Sequence, residues 1–334
     1  MKIILMVLCL MGAWTVAAEQ NISIVIHGGA GTINRDQLTA QQETAIKQAL
    51  HTALDAGYAV LEQGGDSTQA IIAAITVMED SPHFNAGKGA VYTKPGKHEL
   101  DASIMRGNDL EAGAVAGVSF TKNPILAAEQ VMINSPHVML AGEGADTFSK
   151  LKGLEQVDNR YFDTEARHKA WQEVDAKTKA QKAATASEAD ILAAEFKFGT
   201  VGAVAIDKNG HLAAGTSTGG MTYKAWGRIG DSPVIGAGTY ADNRSCGISA
   251  TGHGEYFIRY AVAHDICARV RYQNKSLQQA AEEVIMGELK AVGGSGGIIG
   301  MNPEGQPVMV FNTAGMYRGY KTEGMAKVAI YGDE

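Results

Sequence analysis

Three groups of threonines stand at the ends of short apolar runs: Thr200 in "GTVGAVAID", Thr216 and Thr218 in "TSTGG", and Thr251 in "TGHGE". Threonine is at home in strands, so each alone reads as structural. "GRIGDSP" adds Arg228 and Asp231, separated by Ile229 and Gly230 in a tight turn. As an exposed ion pair the two would contribute little. As a clamp they suit a ligand that carries both a carboxylate and an amine, because guanidinium grips a carboxylate bidentately and Asp accepts from an ammonium. An α-amino acid is such a ligand.

A threonine hydroxyl is a poor nucleophile until a base takes its proton. No histidine is obviously placed to do this. Cutting the bond between Gly199 and Thr200 would instead give Thr200 a free α-amine, of pKa roughly 7.7 to 8.0, beside its own hydroxyl. Gly199 suits the cut, since a residue without Cβ tolerates the strained backbone of an N-to-O acyl shift. The polar, Ala- and Lys-rich segment before it gives a new C-terminus the slack to leave.

Other chemistries fall away. There is no HExxH or CxxC, and the nine histidines show no ligand spacing. "HGGAG", residues 27 to 31, lacks a phosphate-loop pattern, and no Gly-x-Ser-x-Gly elbow accompanies it as an esterase would require. It reads as a glycine turn that lets backbones approach closely. A net charge of -7 argues against nucleic acid or an anionic membrane as partner.

Residues 1 to 18 read as a signal peptide: Lys2, an apolar run, then Val16-Ala17-Ala18 as the cleavage site. The run is shorter than the ~20 residues of a spanning helix, so cleavage after Ala18 and a periplasmic or secreted mature chain are expected. Cys9 lies inside the apolar run and does not read as an acylation site. Cys246 and Cys267 could pair in an oxidising compartment, but are read by default as buried small residues.

The elements that must position the threonines follow from periodicity. "ISIVI" is a strand, and residues 37 to 63 a helix ended by Gly64-Gly65. Asp66-Ser67-Thr68 cap a second helix through Val77. "AVYT", "HELDASIM" and "AGAVAGVSF" read as a strand meander, followed by helices over 124 to 133 and 142 to 151. Residues 160 to 199 have little to bury and read as a mobile linker, part of it helical. "TVGAVAID" and "HLAAGTSTGG" form a hairpin around Lys208-Asn209-Gly210, and "PVIGAGTYA" pairs with "CGISATGHGE". Helices over 255 to 270 and 276 to 289 and three short strands end the chain. Helix pairs between strand blocks predict a layered α+β sandwich, not the alternation of a dinucleotide fold.

The motifs "HGGAG", "NAGKGAVYT", "ELDASIM", "GTVGAVAID", "TSTGG", "GRIGDSP", "GAGTYADN" and "TGHGE", in this order, resemble the plant-type L-asparaginase/isoaspartyl peptidase family of N-terminal nucleophile hydrolases. The resemblance runs from Ile22 to about Ile330. It implies a four-layer αββα sandwich with two stacked antiparallel sheets. It also implies autocleavage into an α subunit, 19 to 199, and a β subunit, 200 to 334, which share one structural domain and assemble as (αβ)2. The implied reaction is hydrolysis of the side-chain amide of L-asparagine and of the isopeptide bond of β-aspartyl dipeptides, releasing L-aspartate, with no cofactor required.

By the same resemblance Thr200 is nucleophile and, through its freed amine, base, and Thr218 hydrogen-bonds the nucleophile. Arg228 and Asp231, with Ile229 and Gly230 between them, hold the substrate's carboxylate and amine. Thr251 and Gly252 form the oxyanion hole, His253 and Gly254 line the pocket, and Asn85 lies near the nucleophile. The loop from Glu79 to Ala90 corresponds to a structural sodium site. Two departures stand out: Phe198 where some members carry histidine, with an effect expected on self-cleavage rate, and Gly215 where alanine is commoner, expected to loosen a strand. The alternatives are a glycosylasparaginase, whose cleavage bond is usually Asp-Thr rather than Gly-Thr, and an unprocessed amino-acid-binding protein that uses Arg228 and Asp231.

Overall fold

The structure is a computed structural model that describes residues 21 to 182 and 199 to 334. Its elements run β1 (Ser23–Gly31), α1 (Ala40–Glu62), α2 (Ser67–Glu79), β2 (Leu100–Arg106), β3 (Ala112–Val118), α3 (Pro124–Asn134), β4 (Met139–Ala141), α4 (Gly142–Leu151) and α5 (Glu165–Lys182). Beyond Gly199 come β5 (Val201–Ile206), β6 (Leu212–Thr218), β7 (Thr239–Asp242), β8 (Cys246–Gly252), α6 (Gly254–Tyr260), α7 (Val262–Gln273) and α8 (Leu277–Glu282). A π-helical stretch, Glu283–Leu289, continues α8, and β9 (Gly296–Met301), β10 (Pro307–Phe311), β11 (Gly315–Thr322) and β12 (Met325–Tyr331) complete the chain.

Eight strands form one sheet in the order β12-β11-β1-β5-β6-β2-β3-β4, and four form a second in the order β10-β9-β8-β7. Strand side chains alternate between faces, and the cores separate accordingly. Ile24, Ile26, Val201, Ala203 and Ala205 pack under α1, α2 and α3 on the outer face of the larger sheet. Val25, Val204, Ile206, Leu212 and Ala214 face inward against Ile299 and Met301 of the smaller sheet. Cys246, Ile248, Ala250 and Ile298 point the other way, under α7 and α8. Helix, sheet, sheet, helix is the expected αββα sandwich. Among the described strands β3 and β4 pair in parallel, because α3 intervenes and returns the chain in the same direction.

Local rules account for the helices that flank the larger sheet. Thr39 with Gln42, and Asp66 with Gln69, close capping boxes at the starts of α1 and α2. Ile46, Leu50, Ala53, Leu54, Tyr58 and Leu61 make one buried stripe along α1. At the hairpin between β5 and β6, Asp207 Oδ1 accepts from Asn209 N–H at 2.8 Å and His211 N–H at 3.1 Å. Gly210 takes φ 75° there.

The structure corrects several expected boundaries. "AVYT" is not a strand: Val91 N–H donates to Asn85 Oδ1 at 2.9 Å and Tyr92 C=O accepts from Tyr223 N–H at 2.7 Å, so these groups are satisfied without a ladder. In "PVIGAGTYA" only Thr239–Asp242 is strand. The helix expected over 255 to 270 breaks at Ala261, at φ 48°. The break aims the first N–H groups of α7 outward, where Ala263 and His264 donate to the carbonyls of Ala237 and Gly236. Gly215 does not leave a slack strand: the tips of Ile71, Ile75 and Ile125 fill the space a Cβ would take, at 3.1 to 3.3 Å.

The polar segment after residue 160 starts as helix α5. Arg167 Nε donates to Gly89 C=O at 2.8 Å, Trp171 Nε1 to Thr93 C=O at 3.0 Å, and Val174 and Thr178 are buried. Its remainder, 183 to 198 with Phe198, and the signal segment lie outside the described residues.

Cys246 and Cys267, read as separate buried residues, are joined by a disulfide. The bond ties the first residue of β8 to α7, the helix that covers it. Closing a loop of this length stabilises by about 3 kcal/mol by restricting the unfolded chain. The Cys246→Ser/Cys267→Ser double variant should therefore lose about 3 kcal/mol in chemical denaturation; an unchanged midpoint and slope would refute that contribution.

Candidate active site

Thr200 sits immediately before β5, buried, at the end of the larger sheet where β6 finishes with Thr218. The ladder pairs Val201 with Ser217, which brings the two threonines together. Thr200 Oγ1 donates to Thr218 Oγ1 at 3.1 Å. Thr218 Oγ1 in turn donates to Gly199 C=O at 3.2 Å and accepts from Gly220 N–H at 3.0 Å. The Thr218 hydroxyl thus touches both the hydroxyl and the carbonyl of the Gly199–Thr200 pair.

"HGGAG" is not a turn: it is the second half of β1, and its glycines allow the close backbone approach that the sequence suggests. β1 bulges between His27 and Gly29, and a Cβ on Gly29, whose φ is +113°, would lie 2.7 Å from Gly199 Cα. Asn85 packs on Gly199 from another side, where a Cβ on Gly199 would come within 2.9 Å of Asn85 Cβ. Asn85 is fully buried; its Nδ2 donates to Gly220 C=O at 2.7 Å and its Oδ1 accepts from Val91 N–H. It holds the chain beside the threonines rather than facing the cleft.

The cleft is lined by Gly199, Thr200, Thr218, Arg228, Asp231 and Gly252, with Gly220, Met221, Gly230 and Ser232. With the chain continuous from Gly199 to Thr200 it encloses only ≈ 10 Å³, about the space of one water. Gly252, φ +152°, could not carry a side chain, since a Cβ would meet Ser295 C=O at 2.4 Å. Thr251 does not line the cleft; its Oγ1 accepts from Ala30 N–H at 3.4 Å, which leaves its own proton to donate. His253 and Ile229 are also outside the lining. Gly254 opens α6 against the clamp, where a Cβ would fall 2.8 Å from Asp231 Oδ1 and 3.0 Å from Arg228 Nη2.

Asp231 is buried, and its Oδ2 has no hydrogen-bond partner among the described residues. Burial pushes its carboxyl up to about 7; Arg228 pulls it down, while Glu255 and Asp101 add to the rise. Such a group gains much from an arriving ammonium. Arg228 pairs with Glu255 and not with Asp231: Nε and Nη2 each donate to the Glu255 carboxylate at 2.9 Å. Burial raises the Glu255 carboxyl, but the Arg228 hydrogen bond and charge outweigh it and leave it below its ordinary range. Glu255 was missed as a site residue; its position in the first turn after "TGHG" was the available signal.

Sequence reasoning also missed His27 as a partner of Thr200. His27 Nδ1 donates to Thr200 C=O at 2.9 Å, and Nε2 lies 3.0 Å from Ser249 Oγ. Burial pushes the imidazole down to about 3 despite the Thr200 hydrogen bond, so the ring is neutral and Nε2 accepts from the Ser249 hydroxyl.

In the loop between α2 and β2, carbonyl oxygens crowd two glycines. A Cβ on Gly87, φ +49°, would lie 2.2 Å from Glu79 C=O, and one on Gly89 would lie 2.1 Å from Phe84 C=O and 2.9 Å from Pro82 C=O. Such a cradle suits a hard cation that takes oxygen ligands. Among the described residues no group of three or more His, Cys, Asp or Glu is placed to hold a metal.

A hydroxyl heads a central strand here, with Arg228 and Asp231 across the cleft, the arrangement expected of a hydrolase. The family follows from sequence comparison: a profile described as asparaginase matches residues 20 to 330, and the chain belongs to that family. It is 49% identical over 297 residues to a protein of Escherichia coli (strain K12) named isoaspartyl peptidase, covering 89% of this chain and 92% of that one. A Bos taurus protein named isoaspartyl peptidase/L-asparaginase is 39% identical over 89% of this chain and 92% of its own. A Pyrococcus abyssi protein named plant-type L-asparaginase is 41% identical over 91% and 97%.

An ammonium needs the ionised Asp231. Affinity for an α-amino acid should therefore rise about tenfold between pH 6 and pH 8, as a carboxyl of pKa about 7 loses its proton. Asp231→Asn should abolish the rise and weaken binding throughout. Calorimetric titration with L-aspartate reads both; a pH-independent affinity in the unsubstituted protein would refute the clamp.

Proposed function

We propose that the protein is a self-processing threonine amidohydrolase that cleaves the side-chain amide of L-asparagine and the isopeptide bond of β-aspartyl dipeptides, releasing L-aspartate. The observation that carries this reading is the meeting of Thr200 Oγ1 with Thr218 Oγ1, at 3.1 Å, in one cleft with Arg228 and Asp231. The names of the relatives support the substrates.

In the precursor Thr200 Oγ1 adds to the Gly199 carbonyl carbon, the C–N bond breaks, and the hydroxyl proton passes to the nitrogen. Water then hydrolyses the ester and frees both ends. Departure of Gly199 opens the cleft to substrate. The freed amine, of pKa roughly 7.7 to 8.0, takes the Oγ1 proton in each later turnover. Arg228 and Asp231 hold the substrate's α-carboxylate and α-amine and present its β-carbonyl to Oγ1. Thr251 and Gly252 stabilise the oxyanion, and Thr218 steadies Oγ1. Ammonia or an amino acid leaves, and water releases aspartate from the acyl-enzyme. Gly230 and Gly254 shape the wall around the clamp, with Ile229 and His253 outside it.

In the loop from Glu79 to Ala90 the carbonyls of Glu79, Pro82 and Phe84 would hold a structural sodium ion, which would take no part in these steps. The mature chain is exported after removal of residues 1 to 18, a reading that the Cys246–Cys267 disulfide supports, and two αβ pairs assemble.

Denaturing electrophoresis with N-terminal sequencing of the secreted or periplasmic protein should show two fragments, beginning at Glu19 and Thr200, with a gel-filtration mass of two αβ pairs. Thr200→Ala should remain one chain from Glu19 and hydrolyse neither asparagine nor β-aspartyl-leucine. A Thr200→Ala protein that is cut and active sinks the assignment. Faster hydrolysis of glycosylated asparagine than of either would favour the glycosylasparaginase alternative, and an uncut, inactive parent the binding-protein one. For the cation, the melting temperature should rise in sodium chloride relative to choline chloride at equal ionic strength; equal values would refute it.

A further inference from the structure

Behind Thr200, on the side away from the cleft, a buried run of side chains crosses between the two sheets. His27 Nδ1 holds Thr200 C=O, and Ser249 Oγ donates to His27 Nε2. Thr216 Oγ1 lies 2.7 Å from Ser249 Oγ and 2.6 Å from Thr239 Oγ1. Ser103 Oγ stands 2.8 Å from Thr239 Oγ1 and 2.6 Å from Ser232 C=O, the residue after Asp231. Each hydroxyl has one proton to give, and Nε2 can only accept. With Ser249 giving its proton to the ring, Thr216 gives its own to Ser249 and Thr239 to Thr216; Ser103 has one proton for Thr239 Oγ1 and the Ser232 carbonyl, and Thr216 Oγ1 also lies 3.2 Å from the Gly238 carbonyl. All these side chains are buried.

We propose that His27 is a positioning residue for hydrolysis: aimed by Ser249, it fixes the Thr200 carbonyl and so keeps the hydroxyl and freed amine of Thr200 turned into the cleft. The inference rests on Thr200 being the nucleophile.

The ladder begins one residue too late to do this itself. His27 pairs with Gly202 and Val201 with Ser217, so Thr200 lies outside the paired strand. Once the bond to Gly199 is cut, Thr200 is a chain end, and chain ends fray unless tied. Its side chain is held by Thr218, which restrains rotation about the bond between its Cα and carbonyl carbon, but the peptide plane that joins it to Val201 can still swing. Fixing the carbonyl holds that plane, and with it the Cα from which the hydroxyl and the amine project. The sheet makes room for the contact: a Cβ on Gly202 would sit 2.0 Å from Ser249 Oγ and 2.5 Å from His27 Nε2. Beside it the intersheet layer holds the apolar side chains of Val25, Val204, Ile299 and Met301. A polar run buried there is tolerated only when its members are satisfied.

The test compares His27→Ala, His27→Asn and Ser249→Ala, each checked by denaturing electrophoresis for cleavage and by melting temperature, with kcat and KM for L-asparagine. His27→Ala should lose about 10- to 100-fold in kcat at little-changed KM, the size expected of a misplaced reacting group. Asn restores an N–H near the place of Nδ1–H, so His27→Asn should recover most of that loss. Ser249→Ala keeps the ring and loses its aim, and should fall between wild type and His27→Ala. Wild-type kcat in His27→Ala overturns the proposal, as does a His27→Asn protein no better than His27→Ala when both fold and are cut. If the His27 variants fail to fold or to cleave, Ser249→Ala decides alone, and wild-type kcat there overturns it. Failure of the nucleophile assignment shows separately, as a Thr200→Ala protein that is cut and active.

Discussion

β5 lies between β1 and β6 in the middle of the larger sheet and is paired along both edges from its first residues. Its side chains are buried on both faces, under α2 on one side and against the smaller sheet on the other. A strand so placed cannot shift without breaking two ladders and two cores. On the proposed reading, that rigidity lets the residue at its head serve as a fixed reacting group, even as a chain terminus. The surrounding glycines follow from the same constraint: Gly29 and Gly202 are where β1 and β5 must leave room for the Gly199–Thr200 junction and for the His27–Ser249 contact.

The clamp rests on a balance of charges. Asp231 is buried with one oxygen unpaired, so the carboxylate is costly without a cation and Arg228 alone does not keep it in its ordinary range. Glu255 holds two of Arg228's donor groups in its own bidentate pair. The guanidinium is thereby oriented and partly neutralised, and it lines the cleft with N–H groups beyond the two that Glu255 takes. On the proposed reading, a zwitterionic amino acid would complete both halves at once: its ammonium would relieve Asp231 and its carboxylate would take the remaining arginine donors. A ligand that offers only one of these groups leaves the other half uncompensated, and specificity of this kind comes from unmet desolvation as much as from contacts made.

Much of this was legible from residue types and spacing. Thr200, Arg228 and Asp231 stand in short motifs whose residue types suggest their chemistry, Thr218 and Gly252 follow from the family resemblance, and the structure gathers all five in one cleft. The hairpin of β5 and β6 follows from period-two apolar runs and a Lys-Asn-Gly turn. Other features depend on partners far along the chain. His27 meets Thr200 across 173 positions and Ser249 across 222, and no local pattern encodes such pairs. "AVYT" misled for the same reason. Its composition is that of a strand, but Asn85 and Tyr223 supply the hydrogen bonds that a neighbouring strand would have given. The disulfide needed the helix α7 to be laid over β8 before two ordinary cysteines could become a pair.

The near absence of space in the cleft gives Gly199 a second role on the proposed reading. While joined to Thr200 it fills the place that a substrate would enter, packed between Gly29 and Asn85. The same Thr218 hydroxyl that touches Thr200 Oγ1 also donates to the Gly199 carbonyl, so the precursor presents its own peptide bond where a substrate's amide will later lie. Self-cleavage and catalysis then share a nucleophile and one supporting hydroxyl, but not the base, since the amine exists only after the first reaction. The slow single event can proceed without it. The repeated one gains a proton acceptor attached to the same residue as the attacking oxygen, and it is the fixed orientation of that residue, held from behind by its carbonyl, that lets one side chain and one amine act together.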